Sequence, residues 1–303
     1  MSQIDTPRRD ARHHHAVVVG IDGSGTAGRA LEWAADEAAR RGIPLEIVHA
    51  WMPPMQAWPV TALAIDPEPL REDARHLVEE AATSIRVSRR ADGPKVAART
   101  FEADPVSALL AAAEGRDLLV VGRCGRGGSL SRLIGSVADR VARHASVPVA
   151  VIDGQAAVTG GGVVVGVDDS PGARAALAWA ADEAGRLDER LVLVHGWDAP
   201  SVVPPGGPVF EPLPVGTHPE QSRVLTDRLV AELAEAGHDL PEIEHRAIDL
   251  PPSQALIHAA KSARLLVVGS RGRGGFTGLL LGSVSQQSLH HAPCPIVVVP
   301  GPR

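Results

Sequence analysis

The sequence predicts an α/β protein built from two Rossmann-like domains, each a five-stranded parallel sheet flanked by helices. Three observations carry that prediction. Short β-branched runs without polar alternation mark strands buried on both faces. Ala-rich stretches of helical period alternate with them. The whole pattern then occurs a second time. Residues 16–51 (AVVVGIDGSGTAGRALEWAADEAARRGIPLEIVHAW) align without a gap on residues 162–197 (GVVVGVDDSPGARAALAWAADEAGRLDERLVLVHGW), and more than half of the positions are identical. Asp22/Asp168, Trp33/Trp179, His49/His195 and Trp51/Trp197 keep one spacing; Gly122/Gly269, Gly135/Gly282 and Pro148/Pro295 keep a spacing one residue longer. A period of about 147 residues is a domain duplication and not a short-repeat solenoid. The 303 residues suit two domains of about 150. We expect a disordered tail over 1–15, a first domain over 16–153, a linker over 154–162 rich in Gly and small residues, and a second domain over 163–303.

The elements follow in order. Val17–Ile21 is an apolar run, hence a buried strand, and Ala27–Arg41 places Leu31, Ala34, Ala35 and Ala38 on one helical face. Leu45–Ala50 is the second strand. Residues 52–69 are Pro-rich and read as loop, and Pro69–Arg90 as a long charged helix. Val96–Phe101 is a weaker strand. Asp104 before Pro105 combines an N-cap with proline at the first helical position, opening a helix to Glu114. Leu118–Val121 is again a buried strand, Ser136–Ala145 a helix and Pro148–Ile152 the last strand. The second half repeats the strands near 163–167, 191–195, 243–248, 265–268 and 295–299.

Composition excludes several function classes. The chain is 44% hydrophobic and 22% charged, with net charge −6, which argues against a general nucleic-acid binder. No apolar run approaches the ~20 residues of a membrane span, and the N-terminus lacks the apolar core of a signal peptide, so the expectation is a cytoplasmic protein. Cys124 and Cys294 occupy different contexts, which argues against a disulfide framework. His13, His14 and His15 are consecutive and cannot all face one ion, so they read as tail and no metal site is expected.

In open parallel sheets ligands sit beyond the carboxyl ends of the strands, where the strand order reverses. After the fourth strand of each half comes a Gly-rich loop, GRCGRGGSLSRLIGSV at 122–137 and GSRGRGGFTGLLLGSV at 269–284. Both fit Gly-x2-Gly-x9-Gly-Ser, through Gly122, Gly125, Gly135 and Ser136 and through Gly269, Gly272, Gly282 and Ser283. Glycines admit a ligand close to the backbone, and each loop ends at a helix N-terminus, which favours an anion. Gly127 and Gly128, with Gly274 and Gly275, extend the glycine content. Arg123, Arg126 and Arg132 supply positive charge in the first loop, and Arg271 and Arg273 in the second. Cys124, Ser270, Val137 and Val284 complete the candidate cradle.

With the aspartate of the first strand and the final short strand, this spacing resembles the universal stress protein family in its tandem form, over nearly the whole chain beyond the first 15 residues. The resemblance implies the adenine nucleotide alpha hydrolase-like version of the fold, and a loop that holds the ribose and phosphates of ATP. It implies that Asp22 and Asp168 lie at the adenosine, that Ala50 and Gly196 lie beside the adenine, and that the backbone at Gly20 and Gly166 runs beneath the nucleotide. It also implies that the terminal strands of the two halves meet in an intramolecular pseudo-dimer, and that two chains associate as a homodimer through those strands. The family's role is ATP-responsive regulation of stress survival and dormancy, which implies a regulatory protein partner.

Other nucleotide motifs fail. Gly23-Ser-Gly25-Thr-Ala-Gly28 satisfies the dinucleotide fingerprint, but His49-Ala50-Trp51 stands where an acid is needed, and the second half, Asp169-Ser-Pro171-Gly172, does not keep the pattern. Lys95 and Lys261 are the only lysines, and neither sits in a P-loop. Phosphoryl transfer needs cations and a group that positions the nucleophile; no Ser-His-Asp order is visible, so no catalytic residue is assigned. Asp168–Asp169 offers a contact for Mg²⁺ accompanying ATP, and Asp198 a reach to base or ribose. His49 and His195 end buried strands and read as hydrogen-bonded structural histidines. Trp33 and Trp179 read as core, Trp51 and Trp197 as either stacking or packing. Cys124 between Arg123 and Arg126 reads either as an oxidisable thiol or as a small residue tolerated there. Three functions stay open: ATP binding with little or no turnover, a slow ATPase or nucleotidyl transferase, and an interaction module without nucleotide.

Overall fold

In the structure, a computed structural model, residues 15–53, 66–89, 93–125, 134–153, 161–197, 217–272 and 280–302 are described. The first half runs β1 (Val17–Gly20), α1 (Gly25–Arg41), β2 (Leu45–Trp51), α2 (Glu68–Arg89), β3 (Val96–Glu102), α3 (Pro105–Ala113), β4 (Leu118–Gly122), α4 (Ser136–His144) and β5 (Val149–Ile152). The second runs β6 (Val163–Gly166), α5 (Pro171–Leu187), β7 (Leu191–Gly196), α6 (Thr217–Glu235), β8 (Ile243–Ile248), α7 (Pro252–Ala259), β9 (Leu265–Gly269), α8 (Ser283–His291) and β10 (Ile296–Val299), with one 3₁₀ turn, Ala260–Ser262, after α7. The strands form one sheet in the order β3-β2-β1-β4-β5-β10-β9-β6-β7-β8. Each half is parallel throughout, as its apolar runs require.

Local chemistry sets the helix ends. The Ser24 side chain accepts the Ala27 N–H, so α1 opens ahead of the apolar stretch that announces it. It closes at Gly42, whose φ of 64° places it in the left-handed region. At the equivalent end of α5 stands Asp188, held at φ 51°. Pro148 and Pro295 stay just outside β5 and β10, where their carbonyls accept the N–H of Leu119 and Leu266, both at 3.0 Å.

The halves join through their last strands. β5 and β10 pair antiparallel, Val149 opposite Val298, Ala150 opposite Val297 and Val151 opposite Ile296. Every residue of both strands is buried. Burial of each Val or Ile side chain here contributes roughly 1.5–3 kcal/mol. The cores therefore do not stop at the domain boundary. One joins Ala30, Ala34 and Ile85 to Ala176, Ala180 and Leu229 on one face of the sheet; the other joins Leu109 and Val141 to Leu256 and Leu289 on the opposite face.

The expected pseudo-dimer is present, but it leaves no strand edge for a homodimer through the terminal strands. β5 is already bonded to β4 and β10, and β10 to β9 and β5. The edges left are β3 and β8. Trp33 and Trp179 pack at the margin of the core and stay partly exposed instead of filling it. The expected tail (1–15) and linker (154–162) lie almost wholly outside the described residues. His15, placed in that tail, is described, and its Nδ1 lies 3.0 Å from Asp117 Oδ1. Gly161 and Gly162, at the end of the expected linker, are described too. Among the described residues no helix is long and apolar enough to cross a membrane.

Equivalent glutamates of α1 and α5, Glu37 and Glu183, meet at the centre of one face with no solvent exposure. Arg41 bonds both, reaching Glu183 Oε2 at 2.7 Å. Arg40 contacts Glu37 at 2.7 Å and Arg186 contacts Glu183 at 3.1 Å. Burial opposes both charges, but Arg41, the neighbouring Glu183 side chain and Arg40 together hold Glu37 below the usual carboxylate range. Burial, with the Glu37 charge beside it, pushes Glu183 up to about 7. The pair is asymmetric because Leu187 stands where the first half has Arg41.

Candidate functional site

Strand order reverses between β1 and β4, and again between β6 and β9, so a crevice opens at the carboxyl end of each pair. The first cleft encloses about 550 Å³ and the second about 750 Å³, within the size range of small-molecule sites. Apolar walls come from Ile21, Val48, Leu109 and Val121 in one, and from Val167, Val194, Leu256 and Val268 in the other.

Each cleft combines a fixed carboxylate with an open helix end. Asp22 lies two residues past β1, in a turn whose Ser24 N–H donates to Asp22 Oδ1 at 2.9 Å; in the second half the Ser170 N–H does so to Asp168 at 3.0 Å. Gly125 and Gly272 leave room for those carboxylates, since a Cβ at either would lie 2.7 Å from Oδ2. Across the cleft, α4 and α8 begin at Gly135 and Gly282 with no side-chain cap. Their first-turn N–H groups are the orphan donors of a helix start. The loops close on themselves, Gly135 N–H donating to the Arg123 carbonyl at 2.7 Å and Gly282 N–H to the Ser270 carbonyl at 2.8 Å. Apolar walls for a flat ring, a fixed carboxylate for hydroxyls and unspent N–H groups for phosphate are together a donor set that suits a nucleotide.

The first cleft brings together Gly20, Asp22, Ala50, Gly122, Arg123, Cys124, Gly125, Gly135, Ser136 and Val137. The second brings together Gly166, Asp168, Gly196, Gly269, Arg271, Gly272, Gly282, Ser283 and Val284. Arg126, Gly127, Gly128, Arg132, Asp198, Arg273, Gly274 and Gly275 lie outside the described residues.

Several expectations change. Arg123 borders the cleft, yet its guanidinium is buried and turned away from it. It donates to the carbonyls of Leu289 (3.0 Å), His290 (3.0 Å) and Ala292 (2.8 Å) at the end of α8. Ser270, at the equivalent place, does not line the second cleft; its Oγ accepts the Gly301 N–H at 3.1 Å. Gly122 and Gly269 answer a packing need before any ligand. A Cβ at Gly122 would lie 2.9 Å from the Thr26 carbonyl carbon, and one at Gly269 would lie 2.6 Å from the Gly172 oxygen. Asp169 does not join Asp168: Arg174 and Arg228 each hold it at 2.7 Å, and the hydrogen bond from Arg174, then that from Arg228, lowers its carboxyl below the usual range. The Mg²⁺ contact expected of the pair therefore loses its second carboxylate.

The histidines behave as structural groups. His49 Nδ1 lies 2.7 Å from the Ile21 carbonyl, and His195 Nδ1 lies 3.2 Å from Ser222 Oγ. Trp197 lines its cleft beside His195, ring centroids 6.2 Å apart, whereas Trp51 takes the Arg71 guanidinium at 5.7 Å. Cys124 is partly exposed in the first cleft. Cys294 is buried, and that burial pushes its thiol up to about 12. The reading from residues missed the walls given by Pro105, Leu109, Pro252 and Leu256, because α3 and α7 show their apolar period without showing which end faces the crevice.

The sequence profile described as the universal stress protein family matches residues 13–153 and 162–300. Universal stress protein Rv2005c of Mycobacterium tuberculosis (strain H37Rv) is 36% identical over 95% of this chain and 97% of its own. Universal stress protein Rv2623 of the same strain is 34% identical over 93% of this chain and 95% of its own. A crystal structure of a universal stress protein from Archaeoglobus fulgidus is similar in fold, with a TM-score of 0.69 at 22% identity, covering 94% of this chain and 98% of its own.

Proposed function

The chain belongs to the universal stress protein family in tandem form, and from that premise we propose an ATP-binding regulator of stress response and dormancy with one nucleotide site per half. The observation that carries this reading is the same construction twice: a carboxylate fixed at the end of a strand, facing an uncapped helix N-terminus across an apolar crevice. The adenine enters between the apolar walls, and Asp22 or Asp168 accepts hydrogen bonds from the ribose. The phosphates lie on the loop backbone and the first turn of α4 or α8, where N–H groups and the helix dipole favour negative charge. In the second site Arg271, exposed at the cleft, adds a cation.

Slow or absent turnover fits the same geometry. A hydrolase needs a group that positions the attacking water. Each cleft histidine is held through Nδ1 by a neighbour, Arg123 is spent on the end of α8, and Asp169 on two arginines. The reading places the protein in the cytoplasm, where the nucleotide level sets site occupancy.

One experiment orders the readings. Nucleotide is released from the purified chain by denaturation and identified, and the chain is then incubated with ATP and Mg²⁺. Co-purified ATP without turnover is the expected result. Steady product release would instead establish a slow enzyme, and a chain that neither carries nor binds nucleotide by calorimetry would be an interaction module.

A further inference from the structure

Arg123 lines the first cleft, and its side chain reaches the helix that walls the second. Its backbone builds the first: its N–H donates to the Ile152 carbonyl at 2.9 Å, and its own carbonyl accepts the Gly135 N–H, the start of α4. Its side chain crosses the junction between the halves and ends on α8. That guanidinium is 4% exposed, pairs with Asp153 at 3.0 Å, and donates to three carbonyls at the C-terminal end of the helix. The approach to Asp153 is an ion contact whose angle falls short of a hydrogen bond. The other end of α8 is the anion-facing wall of the second cleft, through Gly282, Ser283, Val284 and Ser285.

We propose that Arg123 is a positioning residue that couples the two clefts, so that filling the first raises the affinity of the second. The inference rests on the reading of both clefts as nucleotide sites. A ligand on the backbone of 122–125 restrains the segment from which the Arg123 side chain departs. The guanidinium then holds the carbonyl end of α8 in one arrangement, and a short rigid helix transmits that restraint to its own first turn. Part of the ordering needed at the second cleft is met in advance, which is a source of positive cooperativity. The planar fork suits the task, since it reaches several carbonyls from one rigid group. Ser270, in the equivalent position, does not cross back: its Oγ accepts the Gly301 N–H. A further ion contact between α8 and α4, His290 Nε2 at 3.5 Å from Asp139 Oδ1, is a longer approach on the helix surface. The coupling energy is reciprocal, as binding linkage requires.

The test is a thermodynamic cycle on the full chain with ATP. Ser136→Asp places a carboxylate at the start of α4 and closes the first cleft to phosphate; Ser283→Asp does the same for the second. Calorimetry of these variants yields each cleft's affinity with the other empty. The unmodified chain yields the affinity for filling both. The expected result is that filling both is tighter than the product of the single affinities by about fivefold or more, and that the excess vanishes in Arg123→Met. Arg123→Lys, which keeps the charge but not the fork, retains the fold and loses most of the excess. An excess unchanged in Arg123→Met and Arg123→Lys, or no excess in the unmodified chain, overturns the coupling while leaving two nucleotide sites in place. Absence of ATP binding in every variant and in the unmodified chain overturns the nucleotide reading, and the coupling with it.

Discussion

The two clefts share a construction and differ in what surrounds it. In the first, the tryptophan that ends β2 is drawn off by Arg71, the loop arginine is buried against the other half, and a partly exposed cysteine faces the crevice. In the second, the equivalent tryptophan lines the crevice, and an arginine stands where the first has Cys124. The second cleft is also the larger. Duplication keeps the backbone that must close a sheet and start a helix. It leaves free the side chains that decide what each crevice prefers. The same divergence marks the junction, where equivalent glutamates meet and only one side brings Arg41.

Breaking that junction has the largest expected effect. Arg41→Leu makes the first half match the second at this position and leaves two buried carboxylates with only their peripheral arginines. Removing one partner from a buried ion pair costs about 3–5 kcal/mol, read as a lower midpoint in denaturant unfolding. A loss below about 1 kcal/mol would show that Arg40 and Arg186 suffice.

The glycines before the two loops come next. At Gly269 an added methyl meets the Gly172 carbonyl oxygen at 2.6 Å, and at Gly122 it meets backbone atoms at 2.9 Å and beyond. Both are overpacking against backbone, which typically costs 1–3 kcal/mol. Gly269→Ala is expected at about 3 kcal/mol and Gly122→Ala at about 1–2. Equal losses would mean that the two helix starts yield alike.

The glutamate pair sharpens the comparison through pH. Glu183 has a folded pKa of about 7, raised above its ordinary 4.5. The folded state therefore holds this proton more tightly, and the stability it contributes is present below about 4.5 and lost as pH rises through about 7. Glu37, held low, contributes the opposite sign: its stability is lost as pH falls into the acid range below its ordinary value. Unfolding free energy should drop by about 1–3 kcal/mol between about pH 4.5 and about 7.5, and change little above that. Glu183→Gln should flatten that drop, and an undiminished pH dependence in this variant would assign it elsewhere.

The smallest effect concerns the tryptophans. Trp197→Ala should weaken ATP at the second cleft by about 1 kcal/mol, several-fold in Kd. Trp51→Ala should leave the first cleft unchanged, since its ring faces Arg71. Calorimetry with the opposite cleft closed separates the two, and equal losses would return Trp51 to its cleft.

Much of the fold was legible because its signals are local. Val17–Val19 and Leu118–Val121 are apolar at consecutive positions, which only a strand buried on both faces explains. Asp104, ahead of Pro105, caps α3 by a bond to a residue three positions on, whereas the Ser24 cap of α1 was not legible, because the apolar stretch starts later. The paired glycine-serine spacing located both crevices, because the reversal of strand order and the start of a helix recur there together. The directions of Arg123 and Asp169 were not legible. Both look like site residues beside a Gly-rich loop or a strand-end aspartate, yet Arg123 finds its partners at Leu289–Ala292 and Asp169 finds one of its two at Arg228.

The sequence by itself determined the duplication, the alternation of strand and helix, and the two loops at the strand ends. Those depend on periodicity and backbone chemistry within a few consecutive residues. Only the tertiary structure decided the antiparallel register of β5 against β10, that Glu37 and Glu183 share one buried site, and that an arginine of one cleft holds the helix of the other. These contacts arise across the pseudo-twofold between the halves. There each side chain takes the partner that its burial demands, and residues more than a hundred positions apart become neighbours.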